Sequence, residues 1–225
     1  RRKAVDTVLR AILGPRLDEH IAGFAPVVCS FATKPPGGEP LPLHQDWTFV
    51  DEQRHASLGI WCPLADVDES NGCLEVIPGS QGLAREPRVA MAPPLYPELV
   101  REGYRQLRSI PMRAGQAMIF DQRLFHASGP NRSGNVRVAA TAVVVPRGAP
   151  LRHYCFLGRA PDDTEALLAE IFAVDEDFFV SHPWGSPPQA YPSLGLVRIA
   201  PDRLEPGSRT RLLEQQCVRA RRHDG

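Results

Sequence analysis

Apolar positions near the start of the chain recur at helical spacing. Val5, Val8, Leu9 and Ile12 share one face of residues 4–13, and Gly14-Pro15 then stops the turn, so a short amphipathic helix is predicted there. From Val27 onward the pattern becomes that of strands. Val27 to Thr33 reads as a strand, Lys34-Pro35-Pro36-Gly37-Gly38 as a loop, and a short extended piece carries His44 and Asp46. Ser57 to Leu64 follows, then the turn signal Asn71-Gly72 and the apolar run Cys73 to Ile77, closed by Pro78-Gly79. Gln106 to Met112, Ala117 to Asp121, Val136 to Val145 and Leu151 to Phe156 complete the series. Short strands punctuated by Pro and Gly predict an all-β core with flanking helices, of the sandwich or jelly-roll kind, and not βαβ units.

Two segments depart from this rhythm. Residues 82–103 are rich in proline and include Met91, Tyr96 and Pro97; an insertion that long in a compact barrel is expected to be a lid or substrate-binding loop. Asp162 and Glu165 have the spacing of a capping box, and Leu167, Leu168, Ile171 and Phe172 form a helical stripe, so a helix through Ala173 is predicted. The expected organisation is one domain over 1–225, with a core of about 24–157, the insertion 82–103, and a C-terminal helix and tail over 158–225.

Composition narrows the partners. A chain of 225 residues with 43% hydrophobic content can bury one good core. Its 26 basic residues balance 26 acidic ones, which points to a small-molecule substrate and away from nucleic acid or an anionic membrane. The arginines near the end (Arg203, Arg209, Arg211, Arg219, Arg221, Arg222) read as a solvated tail or helix face, with nucleic-acid or subunit contact as the alternative. The five cysteines, Cys29, Cys62, Cys73, Cys155 and Cys217, are scattered and form no C-x-x-C, against both a disulfide framework and a structural zinc site. No apolar run approaches the roughly 18 to 20 residues of a membrane span, and no charged-then-apolar leader opens the chain, so a cytoplasmic protein is expected. The opening residue is Arg1, not Met, so a preceding segment is expected as well. No oligomeric state follows from the sequence.

The chemistry lies in His44-Gln45-Asp46 and His126. On a strand, residues i and i+2 point the same way, so His44 and Asp46 can both turn into a barrel while Gln45 points out. His126 follows the strand Ala117 to Asp121, and antiparallel pairing can bring it opposite them. Two histidines and a carboxylate leave half of an octahedron open, which favours ferrous iron over a closed zinc site, although affinity order alone does not exclude zinc. Arg137 stands eleven residues beyond His126, on a strand where Arg137, Ala139, Thr141 and Val143 share a face. Facing inward, it needs an anionic partner, and a dicarboxylate would serve; facing outward, it is a surface pair. His55 and His153 read as satisfied surface or core histidines, His182, Trp184 and Tyr191 as packing at one end of the pocket, and Trp47 equally as substrate lining or filling. Pro78-Gly79-Ser80-Gln81-Gly82 lacks G-x-S-x-G and reads as a turn, not a nucleophile. A non-catalytic jelly-roll binding module that retains the metal motif stays open.

Four ordered blocks over about 30–145 resemble the phytanoyl-CoA dioxygenase family. They are Thr33-Lys34-Pro35-Pro36; Pro42-Leu43-His44-Gln45-Asp46; Trp61 leading to Asn71-Gly72-Cys73-Leu74 and Pro78-Gly79-Ser80; and His126-x-Ser128-Gly129-x-Asn131-x-Ser133-x-x-x-Arg137. The resemblance implies a double-stranded β-helix (jelly roll, cupin-like) and an Fe(II)- and 2-oxoglutarate-dependent dioxygenase that consumes O2 and forms succinate and CO2. It assigns His44, Asp46 and His126 to iron, Arg137 with Ser128 to the distal carboxylate of 2-oxoglutarate, and Trp61 to packing against that co-substrate. Gln81 departs from the family, which often has histidine after Pro-Gly-Ser, but that histidine is no metal ligand. Halogenating relatives carry a small residue in place of the carboxylate, so Asp46 implies hydroxylation or a related oxidation. The substrate is left unnamed, and no basic cluster argues for an acyl-CoA.

Overall fold

The computed structural model describes residues 2–161 and 163–201. Eight strands build two antiparallel sheets. In the larger, β1 (Phe24–Lys34), β8 (Arg137–Pro146), β3 (Leu58–Pro63) and β6 (Met118–Asp121) lie in that order; in the smaller, β2 (Leu41–His44), β7 (His126–Ser128), β4 (Leu74–Val76) and β5 (Arg108–Ile110). Apart from the β4–β5 hairpin, successive strands alternate between the sheets, which is the winding of a double-stranded β-helix, so the jelly-roll expectation holds. Trp61 and Ala139 from the larger sheet meet Leu74 from the smaller in the shared interior. Register fixes which residues face inward: Trp61 stands opposite Thr141 and Met118, and Gly59 opposite Val143 and Phe120. Gly59 lets the Phe120 ring lie over the strand, since a Cβ there would lie 2.7 Å from that ring and force it to shift.

Both outer faces are covered. α1 (Arg2–His20) lays Leu9 and Leu17 on Ile60, Ala140, Ala142 and Val144 of the larger sheet. It is longer than predicted and runs through Gly14-Pro15, because packing of Leu17 beyond the proline outweighs the backbone hydrogen bond that Pro15 cannot make. The buried stripe is also rotated: Val8 and Ile12 are 56% and 62% exposed, and the face that turns inward carries Asp6 with Leu9 and Leu17. Asp6 accepts from Cys29 N at 2.7 Å and from Arg10 Nε at 2.6 Å, satisfying a carboxylate that periodicity would place in water. α2 (Pro97–Gly103) brings Leu99 onto Leu43, Ile77, Phe125 and Ala127 of the smaller sheet.

The segment expected to be a C-terminal helix is a strand. β9 (Leu151–Ala160), β10 (Asp163–Val174) and β11 (Ser193–Ile199) form a third sheet with β10 in the middle. β10 hydrogen-bonds along both edges, and this pairing overrides a stripe that fits either structure over so short an apolar run. Asp162, Cys217 and the terminal arginines lie outside the described residues. Cys29, Cys62, Cys73 and Cys155 are free thiols. No described helix is long and apolar enough to cross a membrane.

α3 (Glu176–Ser181), capped by the Asp175 side chain accepting from Phe178 N at 3.0 Å, closes one end of the barrel with aromatics. Trp47 packs against Trp184 in a tilted arrangement at 4.4 Å between ring centroids, and Phe49 against Phe179 at 4.9 Å. His153 packs against Phe178 at 4.7 Å, is 5% exposed, and its Nε2 has no hydrogen-bond partner, so it is a core histidine but not a satisfied one. Burial, reinforced by His182, pulls its pKa from 6.5 down to about 4. Above the ordinary value His153 is neutral folded and unfolded. As pH falls below it, only the unfolded chain takes up the proton, so stability drops until about pH 4. The loss should reach about 3 kcal/mol. Urea unfolding at neutral and acidic pH checks this: His153→Phe should remove that share of the acid destabilisation, and an unchanged pH dependence would refute the assignment.

Candidate metal centre

His44 and His126 face each other across the β2–β7 pairing, their ring centroids 4.3 Å apart. Asp46 lies just past the end of β2, where its backbone N–H donates to Gln122 O at 3.1 Å. Asp46 Oδ1 is 3.7 Å from His44 Nε2 and 3.8 Å from His126 Nε2, and the three donor atoms fall within 4.8 Å of one another. Donors on one face of an octahedron at about 2.1 Å lie about 3 Å apart, so side-chain movements of up to about an ångström each would close these three on one ion. Each Nδ1 lies against a carbonyl two residues back, Pro42 O at 2.7 Å and Leu124 O at 3.0 Å. With Nδ1–H donating there, each Nε2 presents a lone pair inward, the usual support of a metal-binding imidazole.

The electrostatics suit a cation. Burial opposes ionisation of Asp46, but His126, His44 and Arg88 outweigh it and hold the carboxyl below its usual range. Burial keeps His126 lowered, hence neutral, despite Asp46. At His44 burial is outweighed by the Asp46 contact, and its pKa is raised. Gln45 turns away, as alternation requires, and donates to Ala84 O at 3.1 Å. Arg88 braces the loop: its Nε donates to Asp46 O at 2.8 Å, while both terminal nitrogens grip the Glu52 carboxylate.

Two residues beyond His126 on β7, Ser128 meets Arg137 of β8. Arg137 faces inward, 6% exposed, with Nη2 donating to Ser128 Oγ at 3.3 Å and Nη1 to Ala32 O at 3.1 Å. Its Nε is buried without a partner. Trp61 lies beneath the guanidinium, 5.4 Å from its carbon. The Ser128 hydroxyl donates to Gly72 O at 2.9 Å. Asn131 is a loop anchor, with Nδ2 donating to Lys34 O and Oδ1 accepting from Ser133 N and Oγ. Ser80 is fully buried and accepts from Phe125 N at 2.9 Å, a scaffold role that leaves no nucleophile there.

Sequence reading names the triad, Arg137, Ser128 and Trp61, and the fold brings the first three together and the last three together. It misses Arg88 and Glu52, which lie 36 residues apart without any local pattern. It also places Lys34 in a loop, whereas Lys34 ends β1 directly opposite Arg137.

The double-stranded β-helix thus converges two histidines and a carboxylate beside a buried guanidinium, a donor set with the composition of the 2-His-1-carboxylate triad. The chain belongs to the phytanoyl-CoA dioxygenase family, whose model matches residues 1–139. It is 34% identical over 118 residues to a phytanoyl-CoA dioxygenase of Arabidopsis thaliana, covering 48% of this chain and 39% of that protein. It is 33% identical over 105 residues to phytanoyl-CoA dioxygenase domain-containing protein 1 of Danio rerio, covering 43% and 36%. These matches thus span well under two thirds of the relatives' length. Among solved structures, the non-heme alpha ketoglutarate dependent epimerase SnoN from nogalamycin biosynthesis superposes with a TM-score of 0.50 at 24% identity, over 64% of this chain and 60% of that one. That likeness speaks for the fold.

Proposed function

We propose that the chain is an Fe(II)- and 2-oxoglutarate-dependent dioxygenase that hydroxylates a small organic substrate. The observation that carries this is Arg137: a buried guanidinium with an unpartnered Nε, set beside the triad without a carboxylate to neutralise it among the described residues. His44 Nε2, Asp46 Oδ1 and His126 Nε2 would hold ferrous iron; Arg137 and Ser128 would hold the distal carboxylate of 2-oxoglutarate, with Trp61 flanking it. Two residues along a strand span about 7 Å, so His126 and Ser128 are spaced to suit the two ends of a five-carbon diacid. When bound, iron and 2-oxoglutarate supply the oxidising chemistry, with O2 consumed and succinate and CO2 released.

The protein's own contribution is geometry and environment. Carbonyl contacts at Nδ1 fix both imidazoles, the lowered Asp46 pKa keeps the carboxylate ionised at neutral pH, and Trp61, Met118 and Phe120 keep that end of the barrel apolar. The retained carboxylate at Asp46 supports hydroxylation over halogenation.

Anaerobic addition of ferrous iron and 2-oxoglutarate tests the reading. A visible metal-to-ligand charge-transfer band is expected, followed in air by succinate release, which a mere binding module would not give. Arg137→Met should leave iron binding intact and weaken 2-oxoglutarate by about 100-fold, the scale for losing a charge-assisted contact to a carboxylate. A wild-type protein without the band would end the proposal.

A further inference from the structure

Lys34 is a buried cation that the scheme above does not use. It is 7% exposed and stands directly across the β1–β8 register from Arg137. Both cations bond the same hydroxyl: Ser128 Oγ accepts from Lys34 Nζ at 2.9 Å and from Arg137 Nη2 at 3.3 Å. Lys34 Nζ also donates to Ser128 O at 3.1 Å and to Gly129 O. Gly72 makes room for this cluster, since a Cβ there would lie 2.6 Å from Gly129 O and 3.2 Å from the Lys34 stem. Among the described residues, the hydrogen-bond partners of both cations are carbonyls and this one hydroxyl.

A staple between β1 and β7 does not require a charge. A neutral amide could donate to the same oxygens without the cost of burying a second cation beside the first, where repulsion is weakly screened. Glu75 compensates Lys34 only in part, since burial and Arg137 outweigh it, and the pair makes sense when a further anion lies against it. On the 2-oxoglutarate reading, we propose that Lys34 is the second cation of the distal-carboxylate site, a positioning residue that makes the pocket select a dicarboxylic 2-oxo acid over a monocarboxylic one. Its ammonium acts through charge and by engaging a Ser128 lone pair, which leaves the hydroxyl proton able to turn from Gly72 O toward the bound carboxylate.

The groups that face Lys34 are Arg137 from β8, Glu75 from β4, and Ser128 and Gly129 from β7. Burial, then Arg137, lowers the Lys34 pKa to about 8, with Glu75 pulling the other way. An anion favours the protonated form, so affinity for the distal carboxylate should fall as pH rises through that value.

The experiment titrates 2-oxoglutarate and 2-oxobutanoate, which lacks the distal carboxylate, into the anaerobic ferrous protein while following the charge-transfer band. Lys34→Met and Lys34→Gln should weaken 2-oxoglutarate by about tenfold or more and 2-oxobutanoate by less than about twofold. The wild-type preference for 2-oxoglutarate should also shrink between about pH 7 and pH 9, a measurement that needs no variant. Unchanged 2-oxoglutarate affinity, equal losses for both acids, or a preference constant with pH would each reduce Lys34 to a strand staple. No band with either acid in the wild type would instead overturn the oxygenase reading beneath it.

Discussion

Replacing His126 with alanine is expected to abolish the charge-transfer band and to bring oxygen-dependent succinate release to background. His126 is the most buried of the three donors, its ring held between His44 at 4.3 Å and Phe120 at 5.1 Å. Without it two donors remain, and both belong to one short segment of chain, so an ion loses the grip that β7 provides. Loss of a supporting hydrogen bond around a metal ligand costs about 10–100-fold in affinity; loss of the ligand itself should cost more. Ferrous titration before and after the substitution reads this directly, with circular dichroism confirming that the barrel persists. A variant that kept its band would remove His126 from the centre.

Glu52→Ala should destabilise the fold by about 3–5 kcal/mol, the range for stranding one member of a buried ion pair. Glu52 and Arg88 side chains are 7% and 11% exposed, and the arginine uses both terminal nitrogens on the carboxylate. Alanine leaves that guanidinium without its counter-charge. The consequence is local as well as global, because the same arginine holds Asp46 O at 2.8 Å and its backbone N–H bonds Thr48 Oγ1 at 2.9 Å. A double replacement, Arg88→Met with Glu52→Leu, should recover much of the stability but not the metal affinity, since the brace on the Asp46 backbone is gone. Urea midpoints and ferrous titrations separate the two effects. A single-variant loss below about 1 kcal/mol would mean that the pair behaves as a surface bridge.

The β-rich class was legible because turn residues recur between short apolar runs throughout residues 24–157, and the jelly-roll winding agrees with it. His44 and Asp46 were legible because strand alternation is local. Arg137 could be assigned a face only once its strand was placed, and Lys34 could not be assigned at all: its opposition to Arg137 is a fact of register between segments a hundred residues apart. The two helix errors share a cause. At residues 163–174 and at the turn predicted after Ile12, long-range partners, β9 and β11 in one case and the outer face of the larger sheet in the other, decided against the local signal.

His44 and His126 belong to one sheet, with Asp46 just past the end of β2, whereas Arg137 and Lys34 belong to the other, and the Ser128 side chain reaches across from the strand of His126. A diacid seated between them is therefore a tie rod across the sandwich. Its grip would add to the bonds that already join the two layers at that end, from Lys34 Nζ to Ser128 and Gly129 O and from Arg137 Nη2 to Ser128 Oγ, so that loosening either layer would slacken both of its anchors at once.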